Sequence, residues 1–311
     1  MGQWAPTAVG IACGVIAGGL YVAVMFGTPG ALILVYLTQL PLFLAGLWMG
    51  TAAAAIAGAT GTLVLLAASD LVGAALFAGM NATPVALLVR QALQARQRDD
   101  GALAWYPPGL LTAWLTAFAL AGIAAAVVVL GGPDALQTTL RGVIVQVLDR
   151  VYGKPLPHRE QVAETLALVV PGIVAASWMV TMVVNAALAQ GVLARFGANW
   201  RRSPDLAGLG LPIWLPAALG VAAALTVFGG GARFVGINMI IALSVAFCLA
   251  GLAVLHAAAR RLSQPAIALV SFYSVAALFG WPFLAVAVLG LLESWLGLRR
   301  RFAPQGVNID G

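Results

Sequence analysis

The chain has 311 residues, of which 62% are hydrophobic and only 8% charged, with 16 basic against 10 acidic side chains and a net charge of +6. Soluble globular domains carry about 25% charged residues, so this composition excludes a water-soluble domain and points to a polytopic membrane protein. The basic residues are scattered over loop ends rather than gathered in one patch, which argues against nucleic acid and for anionic lipid as the partner.

A helix needs about 20 apolar residues to cross the hydrocarbon core. The first candidate, 7–26, carries Gly10, Gly14 and Gly18 at four-residue spacing, with Ala8 and Ala12 beside them. Such small-residue ridges let helices approach closely, either within this chain or against a partner subunit. No Lys or Arg precedes the run, so it does not read as a cleavable signal peptide. Gly27-Thr28-Pro29-Gly30 separates it from the second run, 31–49, which holds Tyr36, Gln39 and Pro41. The third, 51–69, carries a second ridge of Gly50, Ala54 and Gly58. Asp70 is placed to cap the fourth, 71–90, in which Asn81 precedes Pro84 by three residues.

A short loop, 91–108, with Arg96, Arg98, Asp99 and Asp100, leads into a fifth run, 109–131. The segment 132–162 is the longest piece outside the spans. Its Leu136, Leu140, Val143, Ile144, Val147, Leu148 and Val151 recur at helical spacing, with Arg141, Asp149 and Arg150 on the other side. That pattern predicts an amphipathic helix in the outer interface, either a surface-lying connector or a lid. The sixth run, 163–195, contains Trp178, Asn185 and Gln190, and the loop 196–209 contains Arg201 and Arg202. Gly229-Gly230-Gly231 divides the seventh run, 210–228, from the eighth, 234–259, where Asn238, Cys248 and His256 lie. The last stretch, 264–298, is too long for one ordinary span, and Gly280-Trp281-Pro282 interrupts its middle.

Charge sets the threading. Arg260 and Arg261 precede the last stretch and Arg299 to Arg301 follow it, so the positive-inside bias places both clusters in the cytoplasm. An even number of crossings satisfies that, as a tight hairpin of two short helices turning at Trp281. About ten spans follow, with both termini cytoplasmic. Arg90, Arg96, Arg98, Arg195, Arg201, Arg202, Arg260, Arg261 and Arg299 to Arg301 then lie inside, 11 of the 16 basic residues. Arg141, Arg150, Lys154, Arg159 and Arg233 stay outside. Trp4, Trp48, Trp114, Trp214 and Trp295 fall near the inner boundary and Trp281 near the outer one, as an aromatic belt requires, with Trp178 at mid-membrane.

Catalytic chemistry is poorly supported. His158 and His256 pair with no second ligand at a metal-binding spacing, and no phosphate loop, nucleophile elbow or zinc-protease helix occurs. The expectation is therefore a protein that is not an enzyme, with no metal site and no cofactor. Glu293 precedes Arg299 by about one and a half turns and is expected either to pair with the inner arginines or to serve transport as an ionisable group within a span. Cys13 and Cys248 lie within spans and read as buried structural thiols.

Neutral polar residues are the better clue. Gln39, Asn81, Asn185, Gln190 and Asn238 stand in apolar helices, where an unpaired amide costs several kcal/mol against hydrocarbon. A proline shortly after Gln39 and Asn81 frees a backbone carbonyl at the same depth. Tyr36, Gln39, Asn81, Trp178 and Asn238 are thus expected either to line a small outward-facing pocket for an unidentified small molecule or to hydrogen-bond between helices.

The segments AGLAVLHAAARR (250–261) and LGLLESWLGLRRR (289–301), with a Pro-broken hairpin between them, resemble the YybS-like membrane proteins of bacteria, a family of unknown function. That family is in turn remotely similar to the substrate-binding S components of energy-coupling factor transporters. The resemblance, clearest over the C-terminal third, implies a bacterial inner-membrane location and an outward-facing ligand pocket. It also implies docking on a transmembrane coupling subunit through an Ala-xxx-Ala in the first helix, a spacing Ala8 and Ala12 offer. S components are shorter and lack the extra helices and the outer amphipathic loop, and no vitamin-binding motif is present. The expectation is a single all-α integral membrane domain over 1–311, a polytopic helix bundle with an extracytoplasmic amphipathic helix. Its expected role is a small-molecule-binding uptake component without its own ATPase. The alternative is a non-transporting scaffold or assembly factor that packs against other membrane proteins.

Overall fold

A computed structural model describes residues 5–27, 29–99, 101–153, 158–204 and 209–299. Trp4, Thr28, Asp100, Lys154, Arg300 and Arg301 lie outside the described residues, as do parts of the loops 132–162 and 196–209. The described chain is almost wholly helical. Six helices are long and apolar enough to cross a bilayer: Ala5–Met25, Thr51–Ala68, Leu71–Ala92, Pro108–Val129, Arg159–Arg195 and Gly230–Ala259. The chain is a multi-pass integral membrane protein.

In chain order the helices are α1 (Ala5–Val22), α2 (Pro29–Tyr36), α3 (Gln39–Met49), α4 (Thr51–Ala68), α5 (Leu71–Phe77) and α6 (Thr83–Ala92), followed by α7 (Pro108–Val129) and α8 (Pro133–Tyr152). Then come α9 (Arg159–Arg195), α10 (Trp214–Val227), α11 (Gly230–Ala259), α12 (Pro265–Phe279) and α13 (Pro282–Leu296). A two-stranded antiparallel ribbon, β1 (Ala95–Gln97) with β2 (Leu103–Trp105), occupies the loop between α6 and α7.

The spanning-length helices match six of the expected crossings. The others are shorter for visible reasons. The run 31–49 breaks at Leu37-Thr38, because Pro41 withholds the donor that would bond Leu37 and the chain tightens into three-residue turns. α10 has only 14 residues, about 21 Å at the helical rise, against a hydrocarbon core of about 30 Å. α12 and α13 have 15 residues each and meet at a 118° bend, where Gly280 adopts the left-handed region (φ 72°). Asp70 caps α5 as expected, its Oδ1 accepting from Gly73 N–H at 2.7 Å. Glu293 pairs with Arg299 at 2.7 Å.

The contacts divide the chain into two compact units, Met1–Leu115 with Val180–Pro204, and Thr116–Met179 with Asp205–Gly311. In the first, the glycine ridge of α1 is consumed by α4. A Cβ on Gly14 would lie 2.5 Å from the Ala57 carbonyl oxygen and 2.6 Å from Thr60 Cβ. Gly10 faces Ala53 and Ile56, and Gly18 faces Val64. On the second ridge, Gly58 abuts Ala82, and Ala54 meets Gly46 of α3. Both ridges therefore pack within this chain. Ala8 and Ala12 are exposed on another side of α1, among Ile11, Val15 and Ile16.

The second unit is built around α11. Gly236 lets α10 approach, Gly172 lets α9 approach, and Gly251 with Gly290 of α13 bring two backbones into direct contact. The amphipathic helix forms over 133–152, but its apolar residues divide. Leu136 is buried and Leu140, Ile144 and Leu148 partly so, whereas Val143, Val147 and Val151 are exposed. Two ion pairs, Arg141 with Glu160 at 2.8 Å and Asp149 with Arg159 at 2.7 Å, tie α8 to the start of α9. Both are open to solvent, so screening leaves them little effect on stability.

Candidate functional site

Two features of the first unit combine polar chemistry with burial. One is an amide cluster. Where the run 31–49 breaks, Leu40 N–H bonds the Leu37 carbonyl instead of that of Tyr36, which a continuous helix would engage. The released Tyr36 carbonyl accepts from Asn185 Nδ2 of α9 at 2.7 Å. The same nitrogen donates to the Thr181 carbonyl at 2.8 Å and to Gln39 Oε1 at 3.2 Å. Gln39 Nε2 in turn donates to Asn81 Oδ1 at 2.7 Å. Asn81 sits in a π-helical turn, Ala78–Ala82, in which Thr83 N–H reaches back to the Ala78 carbonyl just before Pro84.

Asn185 is the hub of this cluster. Three acceptors converge on its nitrogen, which fixes the amide's orientation. Its Oδ1 is left buried with no hydrogen-bond partner among the described residues, as is Thr38 Oγ1. Asn185→Leu should strand the Tyr36 carbonyl and Gln39 Oε1 and destabilise the fold by on the order of 2 kcal/mol or more. The lowered melting temperature of the detergent-solubilised variant measures it.

The other feature is an apolar cavity of about 210 Å³, walled by α3, α6, the start of α7 and the 182–190 stretch of α9. Phe43, Leu88 and Met182 represent its apolar lining, and Thr112, Gln190 and Arg201 its polar groups. Phe43 lies one turn along α3 from Gln39, so the amide cluster fastens together helices that wall the cavity.

The loop after α9 closes one end of the cavity by folding back on helix termini. Trp200 Nε1 donates to the Trp48 carbonyl at 2.8 Å, at the end of α3. Arg201 Nη1 donates to the Ala92 carbonyl at 3.1 Å, at the end of α6. These are carbonyls that a helix leaves without intrahelical donors, at the negative pole of its dipole. The Arg201 carbonyl accepts from Gln190 Nε2 at 2.7 Å and from Asn199 Nδ2 at 2.9 Å, which pins the loop. Arg201 is only 6% exposed and faces no carboxylate among the described residues. Burial pushes its guanidinium below the ordinary value, yet an arginine stays charged in proteins.

In the second unit, Asn238 has a different setting. Pro171 lies inside α9 and lacks an N–H, and the amide of Asn238 bonds the α9 backbone beside it. Its Oδ1 accepts from Gly172 N–H at 2.5 Å, and its Nδ2 donates to the Leu168 carbonyl at 3.0 Å. Gly172 N–H and the Leu168 carbonyl are the two groups that an unbroken helix would join to each other. Nδ2 also donates to the Phe234 carbonyl at 2.7 Å.

Of the five residues expected to bind a ligand, Gln39 and Asn81 are bonded to each other, and Tyr36 contributes its main-chain carbonyl while its ring is exposed. Trp178 and Asn238 belong to the second unit, and none of the five lines the cavity. Arg201 carried no distinguishing signal, since Arg202 beside it has the same chemistry and is exposed. Gln190 stood out in the sequence only as an amide in an apolar helix, and Trp200 not at all. His256 bonds the Leu252 carbonyl one turn back at 2.8 Å, with its ring beside Tyr273. No family profile, curated protein or solved structure matches the chain.

Proposed function

We propose that this protein is the solute-binding component of a bacterial inner-membrane uptake system, with no nucleotide-hydrolysing part of its own. The observation that carries the reading is the 210 Å³ cavity within one compact unit, apolar in its walls and polar at one end. Small-molecule sites combine an apolar enclosure with a few placed polar groups in this way. In this reading Gln39, Asn81 and Asn185 hold the cavity's helices in register.

The reading keeps the threading drawn from charge: ten crossings, with both termini and the Arg201 loop cytoplasmic. It also keeps kinship with the YybS-like proteins and, through them, with S components. The glycine ridge is occupied internally, so the exposed pair Ala8 and Ala12 becomes the face on which a coupling subunit docks. That face equally suits the competing reading, a scaffold that binds other membrane proteins and no solute.

Native mass spectrometry of the protein extracted from its own membrane separates the two. Uptake predicts one small adduct per chain that Ala186→Phe, which fills the cavity, removes. Adduct-free protein carrying another membrane protein would instead establish the scaffold.

A further inference from the structure

The polar end of the cavity identifies a ligand class. A guanidinium offers five N–H donors, and that of Arg201 gives one to the Ala92 carbonyl, leaving four without a protein partner among the described residues. A buried cation without an anion is costly. The usual remedies, a carboxylate or bulk water, are absent among the described residues around Arg201 and reduced by its burial. The Ala92 carbonyl and the end of α6 supply partial negative charge, which holds the side chain in place without neutralising it. The loop backbone is locked by Gln190 and Asn199, so Arg201 is held in the cavity wall.

Beyond Arg201 the walls turn apolar. The pocket holds about 210 Å³, partly open and lined mainly by hydrocarbon. Its natural occupant therefore carries an anion at one end and hydrocarbon at the other. We infer that the cavity binds an amphipathic anion, with a carboxylate or phosphate head on Arg201 and an apolar body between α3, α6, α7 and α9. Both heads accept two parallel N–H bonds from a guanidinium fork. This inference rests on the binding reading above and names its ligand class. The anion has two sources, a free single-chain amphiphile or an anionic lipid of the surrounding leaflet.

The test uses the full-length protein in neutral maltoside micelles, titrated with dodecanoate, dodecyl phosphate and uncharged dodecanol, with binding followed by native mass spectrometry and thermal shift. The two anions should bind at least tenfold more tightly than dodecanol. Arg201→Gln, which keeps a donor for Ala92, should erase that difference while dodecanol binding persists, showing that the variant is folded. Arg202→Gln should leave the difference intact. If dodecanol equals the anions in the native chain, or the preference survives Arg201→Gln, the assignment of an anion falls while the cavity reading stands. If none of the three probes binds, both fall. Repeating the dodecanoate titration in nanodiscs distinguishes the sources. Competition by phosphatidylglycerol but not by phosphatidylcholine identifies a lipid occupant, and indifference to both identifies a free amphiphile.

Discussion

Gly290→Ala should force α13 away from α11 and cost at least about 3 kcal/mol. The site leaves no room for even one methyl group. A Cβ on Gly290 would coincide with the Phe247 carbonyl oxygen, and a Cβ on Gly251 with that of Val286. Overpacking a core usually costs about 1–3 kcal/mol because flexible side chains yield. Here the obstacle is backbone in the middle of a helix, which cannot turn aside. Gly251→Ala should be as damaging, and the double variant little worse than either single one, since both remove the same close approach. Gly19→Ala is the control. Nothing lies within 4 Å of its Cβ position on α1, and alanine favours helix, so the substitution should be neutral or stabilise by up to about 1 kcal/mol. Thermal unfolding in detergent, with protease cleavage at the Gly280-Trp281 bend as a local probe, reports both outcomes.

Asn238→Leu is expected to have the second large effect. The leucine matches the asparagine in size but cannot occupy the break in α9, so Gly172 N–H and the Leu168 carbonyl lose their partners. Each buried orphan costs about 1–3 kcal/mol, and lipid offers no water as substitute, giving about 2–6 kcal/mol for the pair. Hydrogen exchange at the Gly172 amide should accelerate in step with the lost stability. Pro171→Ala removes the proline ring's clash with the preceding turn, so that Gly172 N–H can bond the Leu168 carbonyl within α9. Added to Asn238→Leu, it should recover part of the loss. Failure of this rescue, with slow exchange retained at Gly172, would show that Asn238 does not complete the helix.

These contacts show what a linear reading could and could not reach. Six spanning-length helices, the Asp70 cap, the Glu293–Arg299 pair and the helix over 133–152 each depend on residues close in sequence, and each was legible. The importance of the inserted amides was legible too, because any such group in hydrocarbon must find a partner. Which partner it finds was not. Asn185 reaches Tyr36 and Gln39 across nearly 150 positions, and Asn238 meets α9 at a proline 67 residues earlier. The break at Leu37-Thr38 and the π turn were missed because apolar composition masks local interruptions, and the β ribbon because its strands are three residues each. The burial of Arg201 was invisible because it arises when a short loop folds onto the ends of α3 and α6.

The splice between α9 and α11 also bears on how the protein is made. Gly172 is synthesised 66 residues before Asn238, so at 5–20 residues per second the earlier helix waits roughly 3–13 seconds for the later one. During that interval its proline gap is an open polar pair, which hydrocarbon will not tolerate. Release of this segment from the insertion machinery is therefore best delayed until α11 emerges. The two helices are expected to enter the bilayer together, and a ribosome-stalled chain ending before residue 238 should stay crosslinked to the translocon.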